Sequence, residues 1–326
     1  MRPDRSGYVR PMEARRTFEV PPRAGGPPDQ LIRTISASGT LAVKVLSGSS
    51  LVSEALSRRT YGATAADALG RAMMGAVLIA VGSAPDDADD ANVESVQLQF
   101  RGDGPLGSLT AIANSRGQVR GTVQHPELDR VRSDGRPDIA GAVGLGPLNV
   151  VRHRPRWRTP YTGTVPLVSG EIAGDLTLYL TESEQTPSAM GLGVAIGPGF
   201  EDVAACGFLV QGMPGATDED LAQLEANVGG LPGLGSLLSE PFDPHALVDR
   251  LLIGLDSRDR YASTPRFHCP CSKERARRTL MLLARAELEE MIAQDAAQEV
   301  VCDFCGQPYE VAAPEMASLL QHAEEA

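Results

Sequence analysis

Two tight pairs of cysteines near the C-terminus constrain this 326-residue chain more than any other feature. Cys269-Pro270-Cys271 and Cys302-Asp303-Phe304-Cys305 are separated by residues 272–301. Four thiolates complete the tetrahedral shell that zinc prefers. Cys-x-x-Cys brings two sulfurs to one ion through a tight turn, and Gly306 permits the sharp backbone that follows. Val300 and Val301 before the knuckle, and Tyr309 to Val311 after it, have strand character and predict a β-hairpin. Cys269-Pro270-Cys271 is a rarer half-site. Its chain must bend for both sulfurs to reach one metal, and Pro270 restricts the local shape. The same closeness permits a strained Cys269–Cys271 disulfide, and strained bridges are the labile, regulatory kind. The residues predict one zinc per chain, held by Cys269, Cys271, Cys302 and Cys305, with His268 as a possible substitute ligand. A four-sulfur shell has no open position for direct metal catalysis. A plain structural zinc ribbon, a redox switch and a nucleic-acid-binding ribbon all remain open at this point.

Leu280, Ala284, Leu288 and Met291 recur at helical spacing between the pairs, beside Leu283 and Ile292, and predict the small core of this module. About 60 residues is near the lower limit for folding unaided. A metal would supply much of the stability, since zinc peptides gain about 10–16 kcal/mol on binding.

The net charge of −12 opposes nucleic acid as a partner, because phosphate binding needs a basic surface. Arg275, Arg277 and Arg278 form one small basic cluster beside the cysteines, which a solvated helix face explains as well. Clustered rather than distributed cysteines favour reduced, cytoplasmic thiols over a secreted disulfide scaffold. The fifth cysteine, Cys206, lies in an apolar stretch and reads as a buried strand residue rather than a reactive thiol. The longest apolar run, near Ala72 to Val81, reads as a buried helix, and no membrane partner is expected. Five scattered histidines (His125, His153, His245, His268, His322) offer no catalytic arrangement, so no enzymatic activity is expected.

Along the chain, the Arg- and Pro-rich residues 1–30 read as a disordered extension. Strands are predicted at 31–35, 40–45, 95–101, 109–113, 119–123, 148–152, 163–168, 193–196 and 207–211. Helices are predicted at 50–59, 64–81, 172–181, 218–227 and 244–255. Thr64 is the expected N-cap of the second helix, with Asp67 completing a capping box. Asp86 to Asp90 lacks the glycine and distal glutamate of a calcium loop and reads as a solvated loop. Gly229 to Gly235 reads as a flexible break. Runs of antiparallel-looking strands broken by a few helices indicate α+β. The expected organisation is a core over 31–215, a helical linker over 216–264 and a cysteine domain over 265–326.

With these residues in place, the chain resembles the heat-shock protein 33 family of redox-regulated chaperones over residues 31–322. In the tail the resemblance rests on Phe267, Cys269, Cys271, Ser272, Glu274, Arg275, Glu287, Leu288, Met291, Cys302, Phe304, Cys305, Gly306 and Tyr309. In the core it rests on Val96-Gln97-Leu98-Gln99-Phe100, Gly102-Asp103-Gly104-Pro105-Leu106, Val119-Arg120-Gly121, Tyr161, Gly163, Val165 and Tyr179. It continues in Ser183-Glu184-Gln185-Thr186-Pro187, Gly207-Phe208-Leu209-Val210-Gln211 and Met213-Pro214. The resemblance implies an ATP-independent holdase in the cytoplasm, inactive while reduced and zinc-bound. Oxidants would release zinc and form the pairs Cys269–Cys271 and Cys302–Cys305. The tail and linker would then unfold and expose apolar surface to unfolded client proteins, the active form being a homodimer. The first 30 residues fall outside the family pattern, and Cys206 stands where family members often carry glycine.

Overall fold

The computed structural model describes residues 28–82, 93–155, 157–238 and 242–324. Most of the expected extension 1–30 and the run Asp86–Asp90 lie outside the described residues. The chain divides into two compact units, one ending at His268 and one holding Cys269 onward.

The first unit opens with β1 (Gln30–Ile35) and β2 (Leu41–Ser47), then α1 (Ser49–Leu56) and α2 (Ala63–Ala80). β3 (Ser95–Phe100), β4 (Leu109–Asn114) and β5 (Gln118–Val123) lead to α3 (Ile139–Val143), β6 (Gly146–His153) and β7 (Tyr161–Leu167). α4 (Ala173–Leu178) runs into a wide π turn over Tyr179–Ser183, followed by β8 (Ser188–Ile196) and β9 (Val203–Gly212). α5 (Asp218–Gly229), α6 (Leu234–Leu237) and α7 (Pro244–Leu251) precede β10 (Tyr261–Ser263) and β11 (Arg266–Phe267).

Two sheets result, in the orders β10-β1-β2-β9-β8 and β11-β5-β4-β3-β6-β7, antiparallel except for β11 on β5. Alternation sets the faces of the second sheet: in β3, Val96, Leu98 and Phe100 are buried while the residues between them are only half-buried. α2 packs against strands of both sheets and supplies the centre of the core. It is long and apolar enough to cross a bilayer by length and composition, yet 89% of that window is buried inside the protein. Its close approach to β5 needs glycine at 121, where a Cβ would stand 2.6 Å from Leu69 Cδ1.

Thr64 does not cap α2. The cap residue is Gly62, in extended conformation and without a side-chain cap bond. Thr64 lies one residue inside the helix, where its hydroxyl donates to Arg130 O (2.6 Å) and accepts from Arg130 N (2.8 Å). Asp67 holds Arg71 one turn on (2.6 Å) instead of closing a capping box. A loop distant in sequence supplies the partners that local capping would have used. Asp29 does the equivalent service for α1, its carboxylate accepting from Ser50 N and Leu51 N at 3.0 and 2.6 Å.

α5, α6 and α7 are laid on one face of the first sheet. A Thr217–Asp220 capping box starts α5, and Asp243 caps α7. Leu224, Leu247, Val248 and Leu251 are buried against Ile32, Val43, Val45, Phe208 and Val210, with Leu221, Val228, Leu231 and Leu234 packed around them. Two expectations shift here. The stretch 229–235 runs into the short helix α6, and α7 ends at Leu251 rather than Leu255.

β11 continues the second sheet, pairing Arg266 with Gln118 and Phe267 with Val119. His268 N then donates to Val119 O (2.9 Å).

The second unit contains α8 (Lys273–Leu280), α9 (Arg285–Ala293), the hairpin β12 (Gln298–Val301) and β13 (Pro308–Val311), and α10 (Ala313–Glu324). Its core is small: Leu280, Leu288, Val311, Ala313 and Met316, with Met291, Ile292, Val300, Leu319 and Leu320 against it. The mixture of antiparallel sheets and segregated helices is α+β, as the pattern of runs implies.

Candidate metal centre

The second half-site is built by the hairpin. Cys302 N donates to Gln307 O (2.9 Å) and Gly306 N to Cys302 O (2.8 Å), which folds Cys302–Cys305 into a closed turn. Gly306 adopts φ +69°, a left-handed conformation that side chains resist. The first half-site ends where α8 begins. Ser272 caps that helix by accepting from Arg275 N (3.3 Å), so Cys271 stands directly before the helix cap.

These elements bring the sulfurs of Cys269, Cys271, Cys302 and Cys305 within 4.8 Å of one another. Cys269 Sγ lies 3.7 Å from Cys302 Sγ, and Cys271 Sγ lies 3.3 Å from Cys305 Sγ. Four sulfurs at zinc bonding distance occupy tetrahedron corners about 3.8 Å apart. The group therefore has the size and donor chemistry of a metal cage, with each cysteine half-buried. Burial, then the neighbouring thiols, push the Cys305 thiol well above its ordinary range, while its bond at Gln307 acts the other way. A divalent cation at the centre reverses that balance, because it stabilises every thiolate at once. His268 is exposed and lies outside the group, so it adds no ligand.

A contact that spacing could not show completes the surroundings. Tyr309 on β13 donates its hydroxyl to Cys271 Sγ at 3.1 Å. The tyrosine is pushed up to about 12, first by that bond. In the sequence Tyr309 has strand character and belongs to the family pattern, but nothing in spacing reveals which sulfur its side chain will reach.

The predicted helical row between the half-sites needs one correction. Leu280 and Leu288 are buried, but Leu283 is 37% exposed and Ala284 is also exposed. One helix becomes two: α8 ends at Leu280, and the turn at 281–284 leads into α9, where Glu287 accepts from Ala284 N (3.1 Å). The basic cluster is a paired helix face. Arg277 and Arg278 both approach Glu274, at 3.7 and 3.4 Å. Cys206 lies on β9 with no exposed surface, and burial pushes its thiol up to about 12. It is an inert core residue.

Further features that spacing does not reveal lie in the first unit. Lys44 on β2 is buried, donating to Leu78 O (3.0 Å) and Val81 O (2.7 Å) at the end of α2. Near it, Arg152 and Tyr179 both bind Glu184, at 2.6 and 2.8 Å. In the sequence Lys44 is an unremarked polar residue in an apolar strand.

Comparison with known proteins agrees with this architecture. The sequence profile of the family described as Hsp33 protein matches residues 29–312. A 33 kDa chaperonin of Lactobacillus delbrueckii subsp. bulgaricus is 39% identical over 293 residues, covering 90% of this chain and 97% of that protein. One from Thermus thermophilus is 41% identical over 303 residues, covering 89% and 86%. The crystal structure of the 33 kDa chaperonin (heat shock protein 33 homolog) of Thermotoga maritima superimposes with a TM-score of 0.81 at 31% identity, covering 91% of this chain and 99% of that one. The cysteine cage, the two-sheet core and these matches together make the chain a member of the Hsp33 family of chaperones.

Proposed function

We propose that this chain is a redox-controlled, ATP-independent holdase that protects unfolding proteins from aggregation under oxidative stress. The observation that carries the reading is the convergence of four thiols into a cage of zinc dimensions within a unit that has few apolar side chains of its own. Bound zinc would cross-link residues 269–271 to 302–305 and supply the folding energy that so small a core lacks. Cys269, Cys271, Cys302 and Cys305 hold it in the reduced protein.

Oxidation removes the donors. Each pair of zinc-bound thiolates would give two electrons to hydrogen peroxide, whose O–O bond breaks and which takes two protons from solvent to leave as two waters, while one S–S bond forms. The pairing Cys269–Cys271 and Cys302–Cys305 comes from the family resemblance. The sulfur separations, all within 4.8 Å, admit other pairings with little movement, so peptide mapping of the oxidised protein decides it. With its cross-link gone, residues 265–326 would unfold and loosen the linker, residues 216–264. That linker covers an apolar sheet face with Leu221, Leu224, Val228, Leu231 and Leu234. Its release would expose both surfaces to unfolded clients in the cytoplasm, with the active protein a homodimer.

The reading excludes catalysis, nucleic acid and membranes from the function. The ribbon alternative loses its best support, because two of its three arginines already face Glu274. The test follows zinc content, free thiols and suppression of aggregation of a heat-unfolded client, before and after oxidant. One zinc lost as four thiols disappear, with suppression appearing only afterwards, is the expected result. Equal suppression by the reduced, zinc-loaded protein would refute the switch.

A further inference from the structure

The hydroxyl of Tyr309 crosses from one half of the cysteine cage to the other. Tyr309 stands on β13, paired with Val300 in the hairpin that carries Cys302 and Cys305. Yet its oxygen donates to Cys271, a residue of the other half-site, at 3.1 Å. It therefore links the two halves by a contact independent of any metal.

An O–H donor on a sulfur does two things. It occupies one lone pair, the electrons an electrophile must attack, and it withdraws charge from the sulfur that remains. It also holds the ligand in place, and loss of such a partner behind a metal ligand typically lowers metal affinity by roughly 10–100-fold. From this geometry we propose that Tyr309 is a positioning residue that shields Cys271 and slows attack on the cage, so that it sets the oxidant level at which the metal is lost. This rests on the reading of the cage as a zinc site and concerns how that site is regulated.

The inference is specific about atoms. The aromatic ring can be kept while the donor is removed, so Tyr309→Phe separates packing from hydrogen bonding. The reduced, zinc-loaded full chain and its Tyr309→Phe variant are compared in three measurements. These are zinc transfer to a chromogenic chelator, the order of cysteine labelling by N-ethylmaleimide mapped by mass spectrometry, and circular dichroism. Both proteins should start with one zinc and the same spectrum. The variant should transfer zinc about tenfold faster or more, and Cys271 should move from among the last cysteines labelled to among the first. Unchanged transfer and labelling order, with one zinc in each protein, would overturn the role of Tyr309 and leave the zinc site standing. A wild-type chain that binds no zinc would overturn the metal reading instead. Should the variant not fold, the wild type alone decides: labelling of Cys271 ahead of Cys269 would overturn the shielding.

Discussion

Lys44 offers a quantitative test of the core. Its amine is buried where β2 meets the end of α2, and desolvation, then Arg152 and Arg33, lower it from 10.5 to about 7, with Glu184 acting in the opposite direction. The unfolded chain therefore binds one more proton than the folded chain between pH 7 and pH 10.5, and stability rises with pH in that window. Each pH unit is worth about 1.4 kcal/mol for one proton. Rounding off near the folded value leaves about 2 kcal/mol gained between pH 7 and 9. The window must close near pH 9. Above it Cys206, held up to about 12 in the folded protein, and Tyr179, held higher still, ionise first in the unfolded chain and act with the opposite sign. Urea unfolding of the reduced, zinc-loaded chain, followed by the fluorescence of its single tryptophan, Trp157, measures the effect. The control is Lys44→Met, which keeps the volume and removes the proton. The stability difference between the two proteins should shift by about 2 kcal/mol in favour of the wild type from pH 7 to 9. Parallel curves would refute the reasoning. They would mean that the carbonyls of Leu78 and Val81, 3.0 and 2.7 Å from Nζ, outweigh burial and keep the amine charged.

Chelation of the metal under reducing conditions should open residues 269–324 to proteolysis while leaving the core before residue 216 resistant; protection of residues 269–324 after chelation would contradict the small-core argument. Leu288→Ala should cost about 2–5 kcal/mol in the second unit, by urea unfolding, because it empties one of few buried positions there. Gly102→Ala should cost about 3 kcal/mol in the first unit, since the new Cβ would fall 1.8 Å from the backbone oxygen of Val143, which has no flexible end to yield. Cys206→Ala should cost about 1 kcal/mol for the lost buried sulfur and leave zinc content and the oxidant response unchanged; a shifted oxidant response would show that the buried thiol takes part.

Much of the fold was legible because local pattern and tertiary placement agree. The alternation in Val96, Leu98 and Phe100 matches a strand with one buried face, and the apolar run in α2 matches a helix packed against two sheets. The cage was legible because the ligands come as two sequence-local pairs, so spacing alone predicts two turns able to meet. The failures occurred where a distant partner decided the outcome. Thr64 looked like a cap until Arg130, from a loop 66 residues away, claimed its hydroxyl. Leu283 fitted a helical row until the chain turned after Leu280. Lys44 and Tyr309 owe their importance to carbonyls, charges and a sulfur that are remote in sequence, and no window along the chain contains them.

The same contrast bears on how the proposed switch would be both stable and sensitive. The first unit buries a long helix and two sheets, and glycines such as Gly102 and Gly104 sit directly against backbone with no room for a side chain. Among its described residues the second has a buried cluster of five apolar side chains and four half-buried sulfurs. A core of that size sits near the threshold for folding, so a bound zinc, worth about 10–16 kcal/mol in zinc peptides, would decide its state. Sensitivity then requires that the thiols be reachable, and half-burial provides access that the fully buried Cys206 lacks. Reaching them too easily would fire the switch without stress. On the role proposed for it, a donor such as Tyr309 would ease that conflict at one atom, because it restrains the Cys271 sulfur without burying it.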